Sequence, residues 1–396
     1  MLKECRYSLW INFLTLSAFL IPFNFKWLGW LGSATFILTI SSGKIRLPCR
    51  KSHLVLLLLG FSWLCWLFIL YLGILNDTSG CIKTLETRAG FWLGLVLIIA
   101  SNINKMEAIR ILKAFHVGLI ISLIICLLVA LYRSLLLWNV KWMVHSDFSL
   151  FMHPGYYSVM TFFALYSEVF VKNKTNRLKI LFYSVCIILL SNKAIWLSLI
   201  FSLFLLWFYS PKIRGKVNSF LSRNLLLFSI VSIISLVLNY QRVTEAFQEL
   251  RGQWPEKNYR SSVLVRQQTL NAGLHLFPEA VPWGLGENNL RAQLSNYYQQ
   301  KGYTIPFKNN YNIHNQFVEE FLLHGIPGVI FLVSIAIIFI IMLGSSSRTL
   351  VLAFVFIFII WGNTESFLQR NMGCLFLGFL LPLLTRVYEK ECEMER

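Results

Sequence analysis

Charge is scarce in this chain, and negative charge scarcest of all. Only 14% of the 396 residues are charged, and 18 Asp and Glu stand against 36 Lys and Arg. A soluble globular domain carries about 25% charged residues, so the chain lacks the polar surface that water demands. No His-Glu-x-x-His pair and no paired-Asp motif occurs, which removes the common metal-site signatures; no Walker-type Gly-rich loop occurs either, which removes ATP as a direct energy source. The adjacent carboxylates Glu319 and Glu320 would point about 100° apart on a helix, a poor two-carboxylate site and ordinarily a solvated face. None of the eight cysteines falls in the long polar stretch 241–324, so no disulfide framework is available there. Packing and internal hydrogen bonds are left to hold it. Nor does a small-residue cleavage site follow the first apolar run; Met1–Arg6 carries little net charge, and a retained helix is expected.

What the chain has is apolar length. Hydrophobic residues make up 56% of it and mean hydropathy is +0.62. The apolar runs approach the ~20 residues needed to cross ~30 Å of hydrocarbon, and in lipid each must be helical because every backbone amide needs an internal partner. Hydropathy predicts an all-α polytopic membrane protein with about twelve spans, near 7–24, 26–42, 53–75, 89–104, 113–133, 154–171, 178–190, 194–210, 224–240, 325–343, 349–362 and 371–387. The formal charge of +18 would suggest nucleic acid in a soluble protein, but here it sits in alternate loops. Lys44, Arg46, Arg50 and Lys51 share one; Lys105, Arg110 and Lys113 the next; then Lys172, Lys174, Arg177 and Lys179; then Lys212, Arg214, Lys216 and Arg223. Glu107 is the one acid among them. Loop 76–88 balances to zero, and 241–324 holds eight basic and seven acidic residues. The positive-inside rule then puts both termini in the cytoplasm and 241–324 outside. Cysteine placement agrees: Cys5, Cys49 and Cys392 fall in cytoplasmic segments, Cys65, Cys126, Cys186 and Cys374 in spans, and only Cys81 outside. The expected organisation is a bundle over 1–240, a large outer loop with short helices over 241–324, and further spans with a cytoplasmic tail over 325–396.

The outer loop carries the informative residues. It is far longer than a connection between packed helices requires, and Trp254, Leu270, Leu274, Leu276, Phe277, Trp283, Leu290 and Phe307 give it apolar surface to dock. Val265, Thr269, Ala272 and Leu276 recur at helical spacing, predicting a helix over 261–277 that Pro278 limits. Arg242 stands at a span end, where snorkelling to lipid headgroups is the plain alternative. Arg266 lies on the predicted helix, with a loop salt bridge as its plain alternative. Gly284 and Gly286 allow a tight bend beside a ligand, or an ordinary turn. His314, followed by Asn315, opens the approach to a span, as a base or as a helix cap. On the other half of the chain His153-Pro154-Gly155-Tyr156 opens a span in the same way, and Lys193 is a lone cation between two apolar runs. Such a cation is costly unless it reaches a partner, water or phosphate. Guanidinium groups match phosphate oxygens and imidazole moves protons near neutrality. Together they suit a lipid-borne phosphate at the outer end of a helical bundle.

These residues give the chain its resemblance to the O-antigen ligase family, whose membrane domain is shared with O-antigen polymerases. The ligases show His followed by Asn, Ser or Gln, then nine residues, then Gly-x-x-Gly; here His314-Asn315 is followed by nine residues and Gly325-Ile326-Pro327-Gly328. Arg266 with Gly284 and Gly286, Arg242 at the start of the loop, and His153-Pro154-Gly155-Tyr156 resemble further family features. Two positions depart: Lys193 stands where ligases commonly have Arg, and Val329 where Thr often follows the second Gly.

The resemblance implies a GT-C-like glycosyltransferase of the bacterial inner membrane, working on the periplasmic face without metal or cofactor. It would transfer O-antigen or a related glycan from undecaprenyl diphosphate to a sugar hydroxyl of lipid A–core, inverting the anomeric centre. His314 and Arg266 would be catalytic; Arg242, Lys193 and Arg266 would hold the diphosphate; His153, Tyr156, Asn315, Gly284 and Gly286 would support them. The partners implied are the lipid-linked donor, the lipid A–core acceptor and membrane lipids, with no nucleic acid; oligomeric state is left open. An O-antigen polymerase joining lipid-linked repeat units is the nearest alternative. A transporter or flippase is the next, and would predict internal repeats and mid-membrane polar breaks that are not seen.

Overall fold

The computed structural model describes residues 2–24, 28–41, 51–101, 103–171, 176–209, 240, 244, 248, 262–344 and 348–388. Among these residues the protein is helical, with no sheet. Its elements are α1 (Leu2–Leu20), α2 (Leu28–Ser41), α3 (Lys51–Phe68), α4 (Thr78–Leu95), α5 (Lys105–Leu136), α6 (Pro154–Tyr166), α7 (Arg177–Leu190) and α8 (Lys193–Tyr209). After the next described stretch begins come α9 (Ser262–Leu276), α10 (Glu287–Gln300), α11 (Thr304–Asn309), α12 (Gln316–Gly344), α13 (Arg348–Phe356), α14 (Asn371–Leu375) and α15 (Leu381–Tyr388).

The protein is a helical multi-pass membrane protein, but among the described residues the expected count of about twelve spans is not reached. Three helices among the described residues are long and apolar enough to cross unaided: Lys51–Ile74, Lys105–Leu136 and Gln316–Leu343. Shorter apolar helices cover Leu9–Phe23, Lys193–Ser202 and Asn371–Val387. Several of the other apolar runs change their helical form along the way. The helix after Asp77 begins with a polar turn and passes into a π-helical stretch, Val96–Ala100. The run after Arg348 loosens at Ile357–Trp361, and that after Asn371 at Phe376–Leu380. Hydropathy registers the composition of such runs and not their breaks. The predicted span 224–240 lies outside the described residues except at Tyr240.

Local chemistry sets the helix starts. Asn104 and Glu107 form a reciprocal capping box on α5. Pro154 occupies the first turn of α6, where a missing N–H costs nothing, and His153 caps it. Where α4 crosses the 376–380 segment, Gly94 and Gly378 bring the backbones together; a Cβ on Gly94 would lie 2.6 Å from the Gly378 carbonyl carbon. Small residues serve this purpose in membrane helices, where close backbone approach replaces a hydrophobic driving force.

The stretch after Ser262 has an apolar core of its own, built from Ala272, Leu276, Ala280, Leu285, Leu290, Leu294, Tyr298, Ile313 and Phe321–Leu323. The predicted helical stripe is the buried one, since Val265, Thr269, Ala272 and Leu276 are all buried. Of the apolar residues expected to dock, Leu276 and Leu290 are buried, whereas Leu274, Phe277, Trp283 and Phe307 keep exposed faces; Trp254 lies outside the described residues. The bend at Pro282–Gly286 docks on α12. Leu285 N–H donates to Leu322 O at 2.7 Å, Gly286 N–H to Leu323 O at 3.1 Å, and Ile326 N–H to Pro282 O at 2.9 Å. Gly325, with φ 67°, breaks the helix at this crossing, and a side chain there would drive into the Pro282 carbonyl.

Glu319 and Glu320 overturn the expectation of a solvated face. Both are fully buried. Arg88 of α4 grips Glu320 with two parallel bonds, Nη1 to Oε1 and Nη2 to Oε2, each 2.9 Å. His324 Nδ1 lies 2.9 Å from Glu320 Oε1. Glu319 takes Arg291 Nη2 at 2.6 Å and the Ile313 N–H at 2.9 Å. Adjacent carboxylates on a helix do diverge, and each finds an arginine from a distant part of the chain. Removing one partner of such a buried pair leaves an uncompensated charge worth about 3–5 kcal/mol. Glu320→Ala is therefore expected to lower the thermal midpoint sharply, or to abolish accumulation in the membrane. The double change Arg88→Met, Glu320→Leu recovers most of the loss. Detergent-solubilised thermal unfolding measures both.

Candidate functional site

The carboxylate of Glu365, in the 362–370 turn that follows Trp361, joins two residues predicted to act together. Its Oε1 accepts from Arg266 Nη2 at 3.0 Å, and its Oε2 lies 3.4 Å from His314 Nδ1. Arg266 Nε donates to the Thr364 carbonyl at 3.1 Å, which fixes the guanidinium plane. One edge of the guanidinium is thus committed to the turn. Side-chain exposure falls from 35% at Arg266 through 21% at His314 to 10% at Glu365, so the carboxylate is the innermost group.

His314 is held from three directions. Its backbone is left-handed, at φ 54°, a region that costs a non-glycine residue about 1 kcal/mol or more. Ile313 just before it is pinned by Glu319 at its N–H and by Thr269 Oγ1 at its carbonyl, 3.0 Å away. Asn315 Oδ1 caps α12 through the N–H groups of Phe317 and Val318, and its amide donates to Asn363 Oδ1 at 3.2 Å. Tyr311 meets the imidazole edge to face, 5.3 Å between ring centres.

His153 and Tyr156 stand beside this group. His153 Nδ1 accepts from Gly155 N–H at 3.2 Å, which leaves Nε2 to donate or exchange a proton. Tyr156 packs edge to face against His153 and Trp361. Burial pushes the His153 imidazole below its ordinary value, although part of the ring stays exposed, and the positive charges of His314, Arg266 and Arg370 push the same way; Glu365 alone opposes them. Burial pushes the Glu365 carboxyl up, but the hydrogen bond and charge of His314, then Arg266 and His153, outweigh it and hold the group at about 2.

Lys193 is exposed at the start of α8. Its neighbour Asn192 caps that helix through Ile195 N–H, and the Asn192 amide faces Gly155 beside His153. Gly284 and Gly286, with φ 85° and 74°, face protein and not an open site. A Cβ on Gly284 would lie 2.5 Å from Leu323 O, and one on Gly286 would lie 2.7 Å from Leu75 Cδ1. Arg242 lies outside the described residues. The structure thus brings His314, Arg266, His153 and Tyr156 to one place, with Asn315 tied to the same turn, and puts the glycine pair elsewhere. Sequence reasoning missed Glu365, Asn363 and Arg370, for which no spacing signal exists. Among the described residues no three His, Cys, Asp or Glu side chains come together as metal ligands. The chemistry on offer is proton transfer by imidazole and charge stabilisation by fixed cations.

A multi-pass membrane protein with histidine, arginine and carboxylate gathered at helix ends is the class that this geometry defines. Residues 178–333 match the family model described as O-Antigen ligase, and His314, Arg266 and Lys193 fall within that stretch. No curated protein matches the chain.

Glu365 makes a pH prediction. Its folded value of about 2 lies below the ~4.3 of a free glutamate, so its contribution to stability is complete above that value and is lost as pH falls through the folded one. Detergent-solubilised protein is expected to lose part of its thermal midpoint between about pH 4 and pH 2. Glu365→Gln starts lower and lacks this component; parallel wild-type and variant curves would show that the carboxylate is not held as described.

Proposed function

We propose that the protein is an inverting glycosyltransferase of the GT-C-like kind. It moves a glycan from undecaprenyl diphosphate to a sugar hydroxyl of lipid A–core, as an O-antigen ligase, on the periplasmic face of the inner membrane. The observation that carries this reading is the meeting of His314 and Arg266 on the two oxygens of Glu365, within and just beyond the stretch that matches the ligase family. The loop charges support the orientation, with both termini cytoplasmic and 241–324 covering the site between the two sets of spans.

The chemistry follows from the geometry. Glu365 takes the Nδ1 side of His314 and leaves the Nε2 lone pair to accept a proton, the arrangement by which a carboxylate fixes an imidazole tautomer. The 3.4 Å separation is long for a catalytic hydrogen bond, as is common before substrate binds. Nε2 removes the proton from the acceptor hydroxyl. The oxygen attacks the anomeric carbon from the face opposite the diphosphate, and the bond to the phosphate oxygen breaks with its electron pair on the leaving group. Arg266 meets the developing charge with its uncommitted guanidinium edge. Lys193 and Arg242 complete the cationic reception of the diphosphate, a role that divalent metals fill in other transferases. His153 and Tyr156 support the site from the start of α6, and Asn315 holds the His314 turn to Asn363. The leaving diphosphate supplies the driving energy, and no nucleotide is required.

His314→Ala is expected to reduce transfer by about 10²–10⁴-fold, the usual worth of general acid–base catalysis, with membrane insertion unchanged. Near-normal transfer by that variant would falsify its role as base. Arg266→Lys keeps the charge but loses both the Thr364 contact and the planar fork. A fall in activity is expected, and unchanged kinetics would count against phosphate contact at this edge. Val329 and Lys193 depart from the ligase pattern and keep a polymerase in view, using the same donor but a second lipid-linked glycan as acceptor. Glycan analysis of a deletion strain separates the two: loss of a ligase leaves polymerised chains on undecaprenyl diphosphate, and loss of a polymerase leaves single repeats on core.

A further inference from the structure

The turn that supplies Glu365 is anchored by a residue the mechanism does not use. Leu368, three positions on, donates its N–H to Gln316 Oε1 at 2.7 Å and accepts from Cys374 Sγ at its carbonyl, 3.4 Å away. On its other side Gln316 Nε2 donates to Glu320 Oε2 at 3.1 Å, the same oxygen that Arg88 Nη2 holds at 2.9 Å. Gln316 and Glu320 are fully buried and Arg88 is 2% exposed. Gln316 lies two residues beyond His314, in the first turn of α12.

We propose that Gln316 is a positioning residue: its amide ties the 362–370 turn to the buried Arg88–Glu320 pair and so holds the Glu365 carboxylate against His314. The inference rests on the reading of His314 as the base. A carboxamide suits this place because one planar group must both donate and accept. A carboxylate next to Glu320 has no donor, and an aliphatic side chain has neither function. The two contacts also fix which way the amide is turned, with oxygen to Leu368 and nitrogen to Glu320. The bond to an ionised carboxylate is of the stronger, charge-assisted kind. Glu320 is itself immobilised by Arg88, so the anchor is fixed to α4 at one end and to the Glu365 turn at the other.

The test measures transfer from undecaprenyl diphosphate-linked glycan to lipid A–core in proteoliposomes. Gln316→Leu removes both contacts at similar volume. It is expected to lower kcat by about tenfold while donor KM stays within about twofold, because the catalytic geometry is disturbed and the diphosphate contacts are not. Combined with Glu365→Gln it adds little further loss, since both act through one group. Gln316→Glu supplies a second readout. The groups facing this position are Glu320 and His324 on its own helix, Arg88 from α4 and Cys374 from α14, with Glu365 and Arg370 in the anchored turn and Tyr71 and Glu287 beyond. Next to Glu320 the introduced carboxyl is driven toward its protonated form, in which it donates and accepts as the amide does. Its activity relative to wild type is expected to rise severalfold as pH falls from about 8 to about 6.

Wild-type kcat in Gln316→Leu, fully additive losses in the double variant, or a pH-independent ratio for Gln316→Glu overturns the inference. Should the leucine variant fail to accumulate, the pH ratio of the glutamate variant decides alone. His314→Ala in the same assay separates the two levels: an active alanine variant removes the base itself, whereas an inactive one beside unaffected Gln316 variants removes only the anchor.

Discussion

A single carboxylate holds the candidate site together. Glu365 receives Arg266 from α9 on one oxygen and faces His314 with the other, joining segments about fifty and a hundred residues away in sequence. Carrying a carboxylate into a crowded, largely buried position costs several kcal/mol unless opposite charges and hydrogen bonds compensate it. Here the compensating groups are Arg266 and His314, and the contacts orient both side chains. Exposed Arg370, whose field reaches His153 and Tyr156, adds to the positive side. On the proposed reading, a diphosphate entering such a site would meet directed donors and not a diffuse positive field.

Much of this was legible in the sequence, and the parts that were not share a cause. Apolar period placed Val265, Thr269, Ala272 and Leu276 on the buried face of α9 because helical spacing is a local property. Fixed spacings in the chain brought His314, Arg266 and the His153 turn forward as candidates. Glu365 gave no such signal: Gly362-Asn363-Thr364-Glu365 reads as an ordinary polar turn, and its partners are distant in sequence. Glu320 was misread for the same reason, since its arginine lies 232 positions away and a carboxylate without a local partner reads as solvated. Gly284 and Gly286 show a third kind of limit. Glycine reports that something approaches closely; whether that is ligand or protein is decided only in three dimensions, and here it is the Leu323–Gly325 backbone at Gly284 and the Leu75 side chain at Gly286. Span counting is tested only among the described residues, where three helices are long and apolar enough to cross and three more apolar helices are shorter.

A second chain of charges reaches the backbone next to His314. Lys83 of α4 meets Glu287 at the start of α10; Glu287 meets Arg291, Arg291 meets Glu319, and Glu319 accepts the Ile313 N–H next to His314. Burial raises the Glu287 carboxyl, but Arg291 and Lys83 together bring it below the ordinary range. A left-handed backbone at His314 persists only where its surroundings over-determine it. The network through Glu319 holds the adjacent Ile313, and the one through Glu320 and Gln316 holds the turn that supplies Glu365. Both converge on the first turn of α12.

That convergence accounts for the otherwise wasteful burial of two glutamates side by side. Replacing buried ion pairs by apolar residues of similar volume is often neutral or favourable for stability, and a helix entering a membrane has every reason to be apolar. Retaining Arg88–Glu320 and Arg291–Glu319 at this point is better explained by what they orient. Adjacent residues on a helix project about 100° apart, so a Glu-Glu pair at the start of α12 sends one fixed acceptor toward α10 and one toward α4. The imidazole between those supports is located from both sides without either network touching it. An apolar first turn would pack as well and would leave His314 free to relax into an ordinary helical conformation, with its ring no longer directed at Glu365.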